Sequence, residues 1–382
     1  MAVTWSGREP ATGDVLEVSA VGGIIVGIRR FPHRLTNDLP WLTPGLIDLQ
    51  VNGYRGFDVN AEELSVETLM GLRESLLEGG VTTFVPTVIT NSRERISFAL
   101  QTISDARSRE PVLSRAIPFV HLEGPYISAE EGPRGCHDEA WIRPPDLDEF
   151  TSWQKLSSNL IGMITVSPHW PQSAKFIAAA RRLGVRVAVG HTHAAPAEIR
   201  AAVDAGASYS THLGNGAHAL IVRHPNYLWT QLADSRLTAG FISDGHHLSK
   251  DAFAVMLRAK GIGGSFLVSD SAALAGMPPG NYHAAVGGDV EVTDDGRLVS
   301  LGTPYLAGAA ASLSDGVARA PGLASITLAD SVALATVNPG RVIDAIEPPG
   351  QLRIGASSDL MTFRWQPGDT ELHDIQCEAA AR

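Results

Sequence analysis

From Pro44 onward, eight apolar strand-like runs alternate with amphipathic helical stretches, and this alternation predicts an α/β chain of parallel βα units. Eight such units favour a closed (β/α)8 barrel over an open sheet. Two further observations point the same way. His, Glu, Asp, Gln and Asn gather at the C-terminal ends of the runs, where a barrel keeps its site. Both chain ends, by contrast, hold short strand-like runs and no helix of useful length. The expectation is therefore a barrel over 44–340, with a small β-sandwich domain formed by both chain termini, 1–43 and 341–382.

Bulk properties fit that plan. The 382 residues are 44% hydrophobic and 19% charged, enough to bury one large core and a satellite. A net charge of −11 without a long basic run argues against nucleic acid as a partner. Two cysteines, Cys136 and Cys377, exclude a disulfide scaffold and fit a reducing compartment. With neither a leader after Met1 nor an apolar run long enough to span a bilayer, the expectation is a cytoplasmic protein without a membrane partner.

The terminal runs Val15–Val18 and Gly23–Arg30 are broken by Gly13 and Pro32. The barrel strands are expected at Leu46–Gln50, Thr82–Thr87, Ile117–Glu123, Ile161–Ser167, Val185–His191, Ser208–His212, Leu237–Ser243 and Phe266–Asp270. Apolar residues at three- and four-residue steps predict helices at Val66–Glu78 and Arg93–Arg107, and helices around Ala174–Leu183 and Lys250–Lys260 complete the alternation. Pro196–Asp204, with proline near its start and Gly206 past its end, is a short helix. Residues 289–299 read as a hairpin turning at Asp295-Gly296. Helices at Pro304–Arg319 and Leu328–Val337 should close the barrel, followed by strands at Gln351–Ile354 and Leu360–Trp365.

The strand ends carry the chemistry. His191 ends the fifth strand and His212 the sixth, so two imidazoles emerge at one sheet edge. A lone histidine in such a place is ordinarily a hydrogen-bonded polar residue; the matched pair invites a test against the other ends. The third strand closes on His121-Leu122-Glu123, with Gly124-Pro125 forcing a turn. Glu123, His191 and His212 make a two-imidazole, one-carboxylate set, as used by catalytic zinc sites that keep one position open for water. Such a metal lowers the pKa of a bound water from about 16 to about 7. Asp270 ends the eighth strand, where it can take a proton from the attacking water and pass it to a leaving amine. The seventh strand runs into His246-His247, and either histidine can polarise a substrate carbonyl. The first strand ends in Gln50-Val51-Asn52; amides are poor zinc ligands, so one metal is expected, with a second, weaker site left open.

Taken in order, PGLIDLQVNG (44–53), HLEGPYI (121–127), GCH (135–137), GHTHA (190–194), THLGN (211–215), ISDGHH (242–247), LVSDSAALAG (267–276) and YLAG (305–308) resemble the N-acetylglucosamine-6-phosphate deacetylase family of the amidohydrolase superfamily. The resemblance implies a distorted TIM-type barrel, a homodimer, and hydrolysis of an acetamido group to an amino sugar phosphate and acetate. It implies Glu123, His191 and His212 as metal ligands, Asp270 as general base and then acid, and His247 as the carbonyl-polarising histidine. It further implies substrate contacts at Cys136, His137, Asn215, Gly216, Arg223, Leu306, Ala307 and Gly308, with Arg223 on the phosphate. The metal expected is one divalent ion per subunit, zinc ahead of iron, cobalt or manganese.

Two departures bear on the substrate. Gly214-Asn215-Gly216-Ala217 lacks the aromatic residue usual after THL, and Arg223-His224-Pro225-Asn226 stands for Arg-Glu-Pro-Gly. An unphosphorylated N-acetyl sugar, another acetamido sugar phosphate or an acylated amino acid is the alternative substrate. A non-catalytic binding barrel is the third reading, disfavoured because a scaffold needs neither a full ligand set nor an acid/base.

Overall fold

The structure, a computed structural model, describes residues 2–32, 38–284, 288–302, 306–344 and 346–380. Eight strands lie side by side in chain order, all parallel: β1 (Leu46–Val51), β2 (Val81–Ile89), β3 (Val120–Glu123), β4 (Ile161–Val166), β5 (Arg186–Val189), β6 (Tyr209–Ser210), β7 (Thr238–Phe241) and β8 (Ser265–Leu267). Helices after each strand cover the outside: α1 (Val66–Glu78), α2 (Arg93–Arg109), α3 (Leu147–Leu156), α4 (Ser173–Arg182), α5 (Pro196–Asp204), α6 (Tyr227–Ala233), α7 (Lys250–Lys260) and α8 (Leu313–Ala324), with a further short helix, Pro111–Ala116, after α2. Every residue of β1 is buried, as a strand with helices on one face and barrel interior on the other must be. Side-chain caps start most of these helices, with Ser65, Ser92, Asp146 and Ser249 accepting from the first free N–H groups.

The seam between β8 and β1 is where the barrel departs from regularity. No ladder joins them; Val51 bridges Ser271, and the Asp270 N–H donates to the Gln50 carbonyl at 3.0 Å. Asp48, buried in β1, adds a clamp: its Oδ1 accepts from the N–H of Ser269 (3.1 Å) and of Gln50 (3.3 Å). At the opposite end of the barrel Arg186 stacks on Phe119 and donates to the carbonyls of Gly162, Val342 and Ile343, holding the closing helix Val337–Ile343 against the base.

Both chain ends meet in one six-stranded sheet, ordered His373–Glu378, Leu360–Arg364, Trp41–Pro44, Ala2–Arg8, Val15–Val21, Ile24–Phe31. Its last strand also bonds residues 355–358, so the sheet curls back over Leu16, Val18, Ile25, Leu42 and Leu360. A three-stranded antiparallel sheet, Gly280–Ala284, Gly288–Val292 and Leu298–Ser300, sits on the loop after β8 and contains the expected hairpin. Among the described residues no helix is long and apolar enough to cross a membrane.

Several elements differ from expectation. The helix expected from Pro304 begins at Leu313, capped by a reciprocal Ser312–Asp315 box. Residues 303–305 lie outside the described residues, and 306–309 run extended, bridging Val299 and Ser271. The expected Leu328–Val337 helix is two helices, Leu328–Leu334 and Val337–Ile343. Pro339 is tolerated because it lies in the first turn, where no N–H partner is required; the expected domain boundary at 340 thus falls inside a helix. Gln351–Ile354 is not a strand but a turn segment between Gly350 and Gly355, both at positive φ. The strand that completes the terminal sheet is His373–Glu378, whose surface alternation is weak because much of it is exposed. The expected eighth strand stops at Leu267, since Asp270 adopts φ +51° and leaves the ladder.

Burial pushes the Asp48 carboxyl from its usual 3.8 up to about 7, so the folded state keeps its proton where the unfolded chain ionises. Its stabilising share is full below pH ~4 and falls as pH rises toward about 7. Asp48→Asn keeps the acceptor for both N–H groups and cannot ionise. Urea midpoints measured across this range should shift progressively in the variant's favour and level off above pH 7.

Candidate metal centre and pocket

Three strand ends converge on one buried point. β3 delivers Glu123, and the residues just beyond β5 and β6 are His191 and His212. Gly190 lets this happen: a Cβ there would stand 2.8 Å from the Thr211 side chain and 2.9 Å from that of Thr165. His191 (φ +46°), His212 (φ +24°) and Asp270 (φ +51°) all hold left-handed backbone, a strain of about 1–3 kcal/mol each that the packed barrel must sustain. The strain turns each side chain inward where a continuing strand would alternate it.

His191 Nε2 lies 3.0 Å from His212 Nε2, and Glu123 Oε1 lies 3.1 Å from the second and 3.4 Å from the first. All three residues are buried, and they are the one group among the described residues whose metal-ligating atoms all lie within 4.8 Å of each other. The Nδ1–H of His191 donates to the Pro133 carbonyl at 2.8 Å, which leaves Nε2 with a bare lone pair facing the centre. Gln50 Nε2 donates to Glu123 Oε1 at 2.8 Å and sets that carboxylate's plane. A tetrahedral ion bound at about 2.0–2.1 Å separates its ligand atoms by about 3.3–3.4 Å, so this triangle fits a divalent metal of the zinc type.

The electrostatics agree. Burial alone would raise Glu123, yet its hydrogen bonds with His191 and His212 hold it well below the carboxylate range. Burial would depress His212, but Glu123 carries it up to about 9; a field that favours a proton there favours a cation. Neighbouring His137 is pushed down to about 3 and His121 to about 4, chiefly by burial, and both stay neutral. Asp270 stands at the rim, its Oδ2 4.0 Å from His212 Nε2, while Asn52 Nδ2 donates to its Oδ1 at 2.9 Å. Burial first, and the charge of Glu123 second, push Asp270 up to about 6.

The pocket above this centre is walled by the trio and Asp270 together with Asn52, Cys136, His137, Ala307 and Gly308. Asn215 and Gly216 are not in that wall but behind it. Asn215 Nδ2 donates to the His212 carbonyl, and a Cβ on Gly216 would come within 2.9 Å of His191 Nδ1. His247 gives its Nδ1–H to Asp244 Oδ2 at 2.6 Å and is close enough for its charge to act on Asp270. Leu306 is half-buried and bridges Val299. Arg223 lies on an exposed loop, and its guanidinium has no partner among the described residues. Sequence reasoning treated Gln50 and Asn52 only as poor ligands; their i, i+2 spacing at a strand end signalled that both face the centre.

Residues 41–377 match the sequence model of the amidohydrolase family. N-acetylglucosamine-6-phosphate deacetylase of Bos taurus is 30% identical over 87% of this chain and 80% of its own. N-acetylgalactosamine-6-phosphate deacetylase of Escherichia coli O157:H7 is 27% identical over 92% and 90%. Among solved structures, N-acetylglucosamine-6-phosphate deacetylase from Pasteurella multocida superposes with a TM-score of 0.84 at 25% identity, covering 98% of this chain and all of that one.

Because Gln50 orients a ligand, Gln50→Ala should weaken divalent-metal affinity about 10- to 100-fold without unfolding the chain. Competition with a chromophoric chelator reads this directly; unchanged affinity would mean that Glu123 is held by its strand alone.

Proposed function

The chain belongs to the amidohydrolase family, and from that premise we propose that it hydrolyses the acetamido group of N-acetyl-D-glucosamine 6-phosphate to D-glucosamine 6-phosphate and acetate. One observation carries the reading: a buried carboxylate and two imidazoles face a single point, with Asp270 4.0 Å from one of them at the pocket wall. A divalent cation held there by Glu123, His191 and His212, most simply zinc, supplies Lewis acidity to the water and to the amide carbonyl. A single ion per subunit suffices, because Gln50 and Asn52 spend their amide groups on Glu123 and Asp270.

Asp270 is the proton carrier in this reading. Its Oδ1 is tethered by Asn52, so Oδ2 is the oxygen that takes a proton from water as that water attacks the carbonyl carbon. The same oxygen then delivers the proton to the nitrogen as the carbon–nitrogen bond breaks, giving the amine and acetate. His247, its Nδ1–H given to the Asp244 carboxylate, meets the oxyanion as an imidazolium, donating its Nε2–H. His137 lines the same pocket, its ring set edge-on against that of His191 with centroids 4.5 Å apart. Cys136, Ala307 and Gly308 shape the opening.

Arg223 is assigned to the phosphate. It directly follows the run Leu220-Ile221-Val222, in which Leu220 is 92% and Val222 68% exposed, an apolar run that a second copy of the chain would cover in a homodimer. The two free cysteines fit a cytoplasmic setting. A second reading is favoured by a specific observation: a relative of near-equal similarity is named for the galactosamine epimer. Relative kcat/KM on the two epimeric 6-phosphates decides between them.

Asp270→Asn should lower kcat by about a thousandfold or more with metal content unchanged, as shown by steady-state kinetics beside metal analysis. Retained turnover would remove Asp270 from the reaction. Arg223→Ala should raise KM for the phosphorylated sugar about 10- to 100-fold, the worth of one charge-assisted bidentate contact, and leave the unphosphorylated sugar nearly unaffected.

A further inference from the structure

A second group of metal-ligating side chains lies on the same face of the barrel, outside the centre described above. Glu130 comes from the loop after β3, His169 from that after β4, His193 from that after β5 and His218 from that after β6. The Glu130 carboxylate lies between two imidazoles: Oε2 is 2.9 Å from His218 Nε2, and Oε1 is 3.6 Å from His193 Nε2. The other nitrogen of each ring is held by a hydroxyl. His193 Nδ1 is 2.6 Å from Ser128 Oγ, and His218 Nδ1 is 3.1 Å from the Tyr227 hydroxyl. His169 is held alike, its Nδ1 2.6 Å from Ser167 Oγ, and its ring packs against His193 with centroids 4.2 Å apart. Hydroxyl-anchored Nδ1 atoms with both Nε2 atoms turned to a shared carboxylate reproduce the support that metal-binding histidines receive.

We propose that Glu130, His193 and His218 form a second, peripheral binding site for a borderline transition-metal ion of the zinc class. Two imidazoles and a carboxylate match that class rather than magnesium or calcium, which prefer all-oxygen sets. The site is looser than the buried centre, since its three donors do not all fall within 4.8 Å of one another. Closing it falls to partly exposed side chains, Glu130 at 52% and the imidazoles at 28% and 29%, the latter anchored from behind. A bound ion would tie the loop that carries Cys136 and His137 to the loop that carries Arg223. None of the three residues has a part in the proposed hydrolysis, so the site stands independently of that reaction.

The test is equilibrium dialysis of the holoenzyme, loaded at its buried centre, against micromolar Zn²⁺, with zinc counted per chain. Wild type should take up one further equivalent that a mild chelator removes before the first. Glu130→Gln, His193→Gln and His218→Gln should each weaken the added equivalent at least about tenfold and keep the first. Retention of the first equivalent and of deacetylation shows that a variant is folded, and any two of the three suffice. Uptake of no further zinc by wild type overturns the proposal. So does a further equivalent that all three variants bind as tightly as wild type, which would place it beside Gln50 and Asn52 instead.

Discussion

A buried carboxylate opposed by two imidazoles at 3.1 and 3.4 Å is an arrangement that a folded chain does not adopt without support. Desolvating these groups is costly, and the backbone that presents them is strained at His191 and His212. The barrel supplies rigidity from beneath. Thr165 of β4 lies between the ligand-bearing strands, its hydroxyl 2.7 Å from His121 Nε2 of β3 and 2.6 Å from the hydroxyl of Thr211. This short polar chain ties the third, fourth and sixth strand ends into one floor. Even the non-adjacent strands β4 and β6 are thereby held at a fixed separation.

Loops complete the support from above. The turn after Glu123 is anchored by Tyr126, whose hydroxyl donates to Glu149 at 2.8 Å. Glu149, buried in α3, also receives the guanidinium groups of Arg93 and Arg143, and Arg143 donates to the Asn91 carbonyl. Breaking such a buried ionic group costs more than its formation gains, so its value here lies in fixing where the loop runs. The Pro133 carbonyl, delivered by that same loop, sets the tautomer of His191. The regularity of the barrel and the irregularity of its loops thus act on the same three atoms.

Much of this is legible in the amino-acid sequence. Alternating apolar and amphipathic runs mark the eight strands, and α1, α5 and α7 have the boundaries expected from their periodicity, their proline and glycine ends or the alternation. Less was visible where local pattern is weak. Leu147–Leu156 and Tyr227–Ala233 are short helices whose start is a capping Asp146 or Asn226 rather than a long periodic run. Strand β6 has only two ladder residues, so its place rests on its neighbours. The terminal sheet joins residues more than 300 positions apart, and pairing at that distance leaves no local signature.

That Glu123, His191, His212 and Asp270 meet follows from sequence, because each stands at or just past a strand end, and parallel strands in a barrel bring their ends to one rim. What the tertiary structure decided is how those ends are turned and held. Left-handed backbone at His191, His212 and Asp270 cannot be inferred from neighbouring residues, since it is stabilised by contacts across the barrel. The hydrogen bonds from Gln50 to Glu123 and from Asn52 to Asp270 likewise span 73 and 218 residues. Residue type determined which groups can do the chemistry. Closure of the seam between β8 and β1 decided which of them meet, because only there does Asp270 come to the first strand.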